Sequence, residues 1–201
     1  MKLEEMIEEI QKDPRNESYT KRGIPPIVQI NEQAKILIIG QAPGRKVEET
    51  LIPFNDQSGV TLRKWLGIDE KMFYSDQIAI MPMDFYFPGK GKSGDLPPRK
   101  FMAAYHEQIR NLMSNIQLTI LIGKYAIDHY LKKGKYPTLT ETVRHYEQYL
   151  PTYFPIVHPS PLNYGWRKKN PWFEQEVVPA LQDRVHAILK DSFQIRKKTM
   201  P

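Results

Sequence analysis

The chain has 201 residues, with 29 Lys and Arg against 23 Asp and Glu, 40% hydrophobic and 11% aromatic residues, and no cysteine. That length suits one domain, and the apolar fraction excludes a disordered or fibrous chain. The missing cysteines exclude disulfides, thiolate zinc sites, a cysteine nucleophile and a cysteine-held iron–sulfur cluster. A net charge of +6 favours a polyanionic partner, nucleic acid first.

The acidic start, Met1-Lys-Leu-Glu-Glu, lacks the basic and apolar regions of a secretory signal, and no apolar run approaches the ~20 residues of a membrane span. The expected place is the cytoplasm, with no membrane partner. Leu3, Met6, Ile7 and Ile10 recur at helical spacing before Asp13-Pro14, so residues 1–30 read as a helical N-terminal extension. Lys35-Ile-Leu-Ile-Ile-Gly40 is a short, β-branched apolar run, the pattern of a buried parallel strand. A helix is predicted over 61–66 and a second buried strand over 77–81, ended by Pro82.

Residues 82–98 hold four prolines and three glycines and read as one long loop, a length that points to function or disorder. Phe85, Tyr86 and Phe87 argue against disorder. A helix over 99–115, a third strand over 117–123, helices over 125–131 and 140–149 and a fourth strand over 153–157 follow. Asn170-Pro171 is a helix-start pair for a terminal helical segment that Pro179 is expected to interrupt, and residues 192–201 read as a basic tail, frayed at its end. Strands alternating with helices predict an α/β fold: a three-layer α/β/α sandwich around a central, mainly parallel four-stranded sheet, making one domain over 1–201. In such sheets ligands bind at the carboxyl ends of the strands, so the loops near Gly40, Pro82, Gly123 and His158 should share a rim.

Three of these four loops hold the unusual residues, two of them as compact motifs. Gly40-Gln41-Ala42-Pro43-Gly44 makes a tight turn after the first strand, and His158-Pro159-Ser160-Pro161-Leu162-Asn163 is a stiffened loop that presents an imidazole, a hydroxyl and an amide. The pair resembles the uracil-DNA glycosylase superfamily, whose signature loops follow the first and fourth strands. Ile52-Pro53-Phe54-Asn-Asp-Gln-Ser58-Gly59 is similar to the Gly-x-Pro-Phe region of its thermophile-type branch, and the likeness runs over most of residues 30–190.

The resemblance implies hydrolysis of the N-glycosidic bond of uracil or another deaminated base flipped out of DNA, in base-excision repair, by a monofunctional glycosylase without cofactor or metal. It implies that Phe54 stacks on the base. His158 would stabilise the charge that grows on the departing base. Gln41, Ala42, Pro43 and Gly44 would line the base pocket. Leu162 would wedge into the base stack beside Pro161, with Ser58, Ser160 and Asn163 on the flanking DNA. Lys90, Lys92 and Arg167 would extend the DNA contact through phosphates. The partner is DNA, and a monomer is expected.

The sequence also departs from the family pattern. Ala42 stands where the uracil-specific branch has its water-activating Asp, and Gly44 where that branch has a Tyr that blocks thymine. Asp56, two residues after Phe54, is the replacement carboxylate expected here, with Asp84 in reserve; either could instead cap a helix or a turn. The alternative function is a catalytically impaired protein of the same fold that binds damaged bases. Gly91-Lys92-Ser93 matches only the end of a phosphate-binding P-loop, because Tyr86 stands where that pattern needs glycine.

Overall fold

The computed structural model describes residues 2–92, 94–132 and 135–198, with side chains as far as Lys190. Its centre is a parallel sheet of β1 (Ile36–Ile39), β2 (Ile78–Ile80), β5 (Leu118–Ile122) and β6 (Tyr153–Ile156), in the order β2-β1-β5-β6. A short antiparallel hairpin lies between β2 and β5 in the chain: β3 (Lys90–Gly91) and β4 (Gly94–Asp95). Ile36 pairs with Ile78 on one side and Leu118 on the other, and Ile120 pairs with Phe154.

Side chains alternate between the two faces of a strand. All four residues of β1 are nevertheless fully buried, so both faces of the sheet are covered. This is why the strands read as continuous apolar runs instead of alternating ones. The covering helices fall into packed groups. α1 (Leu3–Lys12) contacts α6 (Ala103–Leu112), and α4 (Gln57–Leu66) contacts α10 (Val178–Lys198). Between β5 and β6 run α7 (Gly123–Tyr130) and α8 (Leu139–Arg144). The fold is the expected α/β/α arrangement. Among the described residues no helix is long and apolar enough to cross a membrane.

Several boundaries differ from the sequence pattern for local reasons. The helix expected over 61–66 begins at Gln57, because Asp56 accepts the Gly59 N–H at 3.0 Å and caps it. The helix expected over 99–115 opens as a tight turn, Lys100–Met102, before α6. That expected over 140–149 divides into α8 and the turn Tyr146–Tyr149.

Pro179 does not interrupt the last helix. The chain widens to a π-helical turn over Phe173–Val177, and Pro179 then sits in the first turn of α10, where a missing N–H is tolerated. α10 continues through Lys198, so most of the segment read as a basic tail is helical backbone; residues 199–201 lie outside the described ones. At the other end, Met6, Ile10, Tyr19 and Ile27 are buried in the core, and Gln29 bridges to Ile80 beside β2.

Candidate active site

The four parallel strands end together, and the loops after β1, β2 and β6 form one cavity of about 450 Å³. From the first loop Gln41, Ala42, Pro43 and Gly44 line it; from the segment before and into α4, Phe54, Asp56 and Ser58; from the loop after β6, His158, Ser160, Leu162 and Asn163. Residues far apart in sequence thus share a wall because strand order places β1 and β6 on either side of β5.

Each loop is held by specific bonds. Met83 N–H donates to Gly40 O at 2.9 Å and Asp84 N–H to Gln41 O at 3.0 Å, tying the loop after β2 to the loop after β1. Phe54 has φ +55, a left-handed conformation uncommon for a bulky aromatic. Two glycines make room for it. A Cβ on Gly59 would lie 1.7 Å from Phe54 O, and a Cβ on Gly40 would lie 3.3 Å from the Phe54 ring. The ring packs edge-on against Phe73 at 6.3 Å and remains half-buried beside the cavity.

The backbone fixes the tautomer of His158. Ser160 N–H donates to its Nδ1 at 3.1 Å, so Nδ1 is an acceptor and the neutral ring carries its proton on Nε2. Burial pushes its pKa below the ordinary histidine value, and the Asp56 and Asp95 carboxylates oppose that shift. Asn163 Nδ2 donates to His158 O at 2.8 Å, and Ser160 Oγ accepts the Leu162 N–H at 3.2 Å, closing the turn at whose tip Leu162 stands 93% exposed. Gly123, the first residue of α7 directly after β5, has φ +77 and lies against this histidine: a Cβ there would be 3.8 Å from His158 Cβ.

This geometry matches a family by sequence as well. The family described as "Uracil DNA glycosylase superfamily" matches residues 27–182, well over half of the chain. The chain belongs to the uracil-DNA glycosylase superfamily. Superfamily membership accounts for the parallel sheet and for the loops gathered at its carboxyl edge, and it points to DNA glycosylase chemistry.

The structure places some of the expected residues away from the cavity. Asp84 is fully buried and does not line the cavity; its oxygens accept from Tyr86 N, Arg99 N, Arg99 Nε and Arg99 Nη2 at 2.8–3.1 Å. It is a structural ion pair, unable to reach a water at the site. Arg167 is not a free cation at the rim. It pairs with Glu174 at 3.3 Å, its guanidinium lies 5.7 Å from the Trp65 ring, and its side chain is mostly buried. Trp166 and Trp172 pack edge-on with each other and with Phe173. Pro161 does not line the cavity and sits exposed in the turn leading to Leu162.

Lys90 and Lys92 are exposed on the β3–β4 hairpin, a setting unlike a P-loop, which runs from strand to helix. Asp95 on that hairpin lines the cavity and was not singled out by sequence. The unusual length of the 82–98 loop is the sequence signal for it. Among the described residues no group of three His, Asp or Glu side chains could hold a metal ion.

Proposed function

We propose that this protein is a monofunctional DNA glycosylase that hydrolyses the N-glycosidic bond of uracil or another deaminated base, flipped out of DNA, as a step of base-excision repair. The observation that carries the reading is His158: a half-buried, neutral imidazole whose Nδ1 is occupied by the Ser160 N–H, leaving Nε2–H as the ring's donor beside the cavity. As the glycosidic bond breaks, negative charge builds on the base oxygen, and a preorganised donor there is worth more in the transition state than in the ground state. Neutrality suits the role, because the donor keeps its proton and no charged group has to be desolvated when DNA covers the site.

The other walls support the same reading. Phe54 offers a ring face of the kind that stacks on a base. Leu162 is an apolar side chain held out at the tip of a stiff turn, the shape of a wedge for the gap left by a flipped nucleotide. Asp56 lines the cavity but is fixed by its capping bond, and there it stabilises positive charge developing on the sugar. Ser58 stands in the first turn of α4, where the helix dipole favours a phosphate. Lys90 and Lys92 supply phosphate contacts, with Ser160 and Asn163 nearer the base. Gly44 and Ala42 leave the first loop without a bulky side chain, which suits a base larger than uracil.

The test is alkaline strand nicking after incubation with oligonucleotides that carry uracil, hypoxanthine, xanthine or an ordinary base. The expected result is cleavage at one modified base, reduced about 10²–10³-fold by His158→Ala with little change in DNA affinity. Tight binding to modified DNA without any cleavage would overturn the enzyme reading in favour of a protein that only holds the base.

A further inference from the structure

Hydrolysis requires a group that accepts the proton of the attacking water, and Ala42 cannot. Three acids stand on or near the site loops, and their bonding separates them. Asp84 is enclosed in its ion pair with Arg99. Asp56 commits Oδ1 to the Gly59 N–H at 3.0 Å as the cap of α4. Asp95 lines the same cavity as His158, is exposed, and no described residue donates a hydrogen bond to its carboxylate. Of the three, Asp95 alone keeps both oxygens open to a water, whereas Asp56 keeps only Oδ2.

The backbone that carries Asp95 is not loose. Asp95 pairs with Lys90 across the hairpin, Leu96 N–H donates to Gly89 O at 2.9 Å, and the Gln41 amide reaches Leu96 O at 3.4 Å. This last bond ties the hairpin to the first signature loop. The placement agrees with it: a Cβ on Gly44 would lie only 3.9 Å from Asp95 Oδ2, so the carboxylate reaches the Ala42–Gly44 turn. Because Gly44 has no side chain, the space between that turn and the hairpin stays open.

We propose that Asp95, delivered by the β3–β4 hairpin, is the general base that activates the attacking water, replacing an acid in the first loop. The inference rests on the glycosylase reading and deepens it. Water oxygen bonds to C1′ of the sugar as the bond from C1′ to the base nitrogen breaks. The electron pair of that bond leaves with the base, whose oxygen takes a hydrogen bond from His158 Nε2–H, and the water proton passes to the Asp95 carboxylate. The products are the abasic sugar, with a hydroxyl at C1′, and the departed base as its anion. Before transfer, the same carboxylate faces the sugar as positive charge grows on it.

The test compares the parent protein with Asp95→Asn, Asp56→Asn and His158→Ala in single-turnover cleavage and in DNA binding. Asp95→Asn removes the base without removing a hydrogen bond of the fold, and Asn at 56 still caps α4. The expected result is a rate loss of about 10²-fold or more for Asp95→Asn, affinity within about threefold, and a smaller rate loss for Asp56→Asn. In Asp95→Ala, added sodium formate should restore part of the rate by supplying a carboxylate to the vacated space, which a structural role would not allow. A loss below tenfold, a larger loss in Asp56→Asn, an effect confined to affinity, or no response to formate each overturns the inference. If the parent protein cleaves no base, the glycosylase reading itself has failed. If His158→Ala abolishes cleavage while Asp95→Asn does not, only the role of Asp95 has failed.

Discussion

Replacing Asp84 by Asn should cost the protein stability and leave its chemistry almost intact. The Asp84 side chain is 0% exposed, and its carboxylate gathers the Tyr86 amide, the Arg99 amide and two guanidinium nitrogens. Arg99 also donates to Asn16 Oδ1 at 2.9 Å, so one buried pair fastens both ends of the 82–98 loop and the N-terminal segment. Asn is the same size, but it carries no charge and turns an NH₂ group toward donors. Removing one partner of a buried ion pair costs about 3–5 kcal/mol, because the other charge stays behind uncompensated. For a chain of this length each kcal/mol lowers Tm by about 2–4 °C, so the expected drop is roughly 6–20 °C. Urea unfolding gives the free energy directly, and single-turnover cleavage at 20 °C reports the chemistry of the folded fraction. A stability change below about 1 kcal/mol, or a folded Asp84→Asn protein that has lost cleavage more than a hundredfold, would refute the structural assignment and return Asp84 to the list of catalytic acids.

Gly59→Ala should be worse than an ordinary small-to-large change: its Cβ would overlap Phe54 O at 1.7 Å, so the left-handed turn must open. We expect at least about 2–3 kcal/mol of destabilisation in urea and loss of cleavage even where the protein folds, whereas full activity would show that the Phe54 turn is not required. Acid should weaken the fold through His106, which burial holds down at about 4, against about 6.5 when unfolded. Above pH 6.5 neither state binds this proton; below it the unfolded chain binds first, so about 3 kcal/mol of stability is lost by pH 4, and burial of His158 acts in the same direction. Urea titrations at pH 7.5 and 4.5 that show equal stability would contradict the neutral state of the buried His106 and the half-buried His158.

The sheet was legible because its strands are buried on both faces. Ile36–Ile39 and Ile78–Ile80 are continuous apolar runs, Leu118–Ile122 is one broken only by the buried Thr119, and such runs have few other homes than a covered parallel sheet. The loops of the cavity were legible because Gly, Pro and His cluster where those runs stop. What sequence did not show is which way long side chains turn. Arg167 reads as a rim cation, yet Trp65 and Glu174 draw it inward; Asp84 reads as a loop acid, yet Arg99, fifteen residues on, encloses it. Pro179 looked like a helix breaker because sequence spacing cannot show that a wider turn precedes it.

The same distinction bears on the acids of the site. Near loops, Asp and Asn are so often used by the backbone that position alone does not identify a reactive carboxylate. Here Asp56 and Asp84 each satisfy backbone N–H groups, and those bonds build the cavity: one starts the helix behind Phe54, the other closes the loop that bears the hairpin. Asp95 stands opposite, on a two-stranded hairpin whose own hydrogen bonds are backbone to backbone and leave its side chain free. A fold that ties two carboxylates into its loops and leaves a third open in the cavity shared with His158 leaves the water to the acid that carries no structural bond. Unmet hydrogen-bonding capacity at the cavity, more than distance in sequence from Phe54, is what separates them.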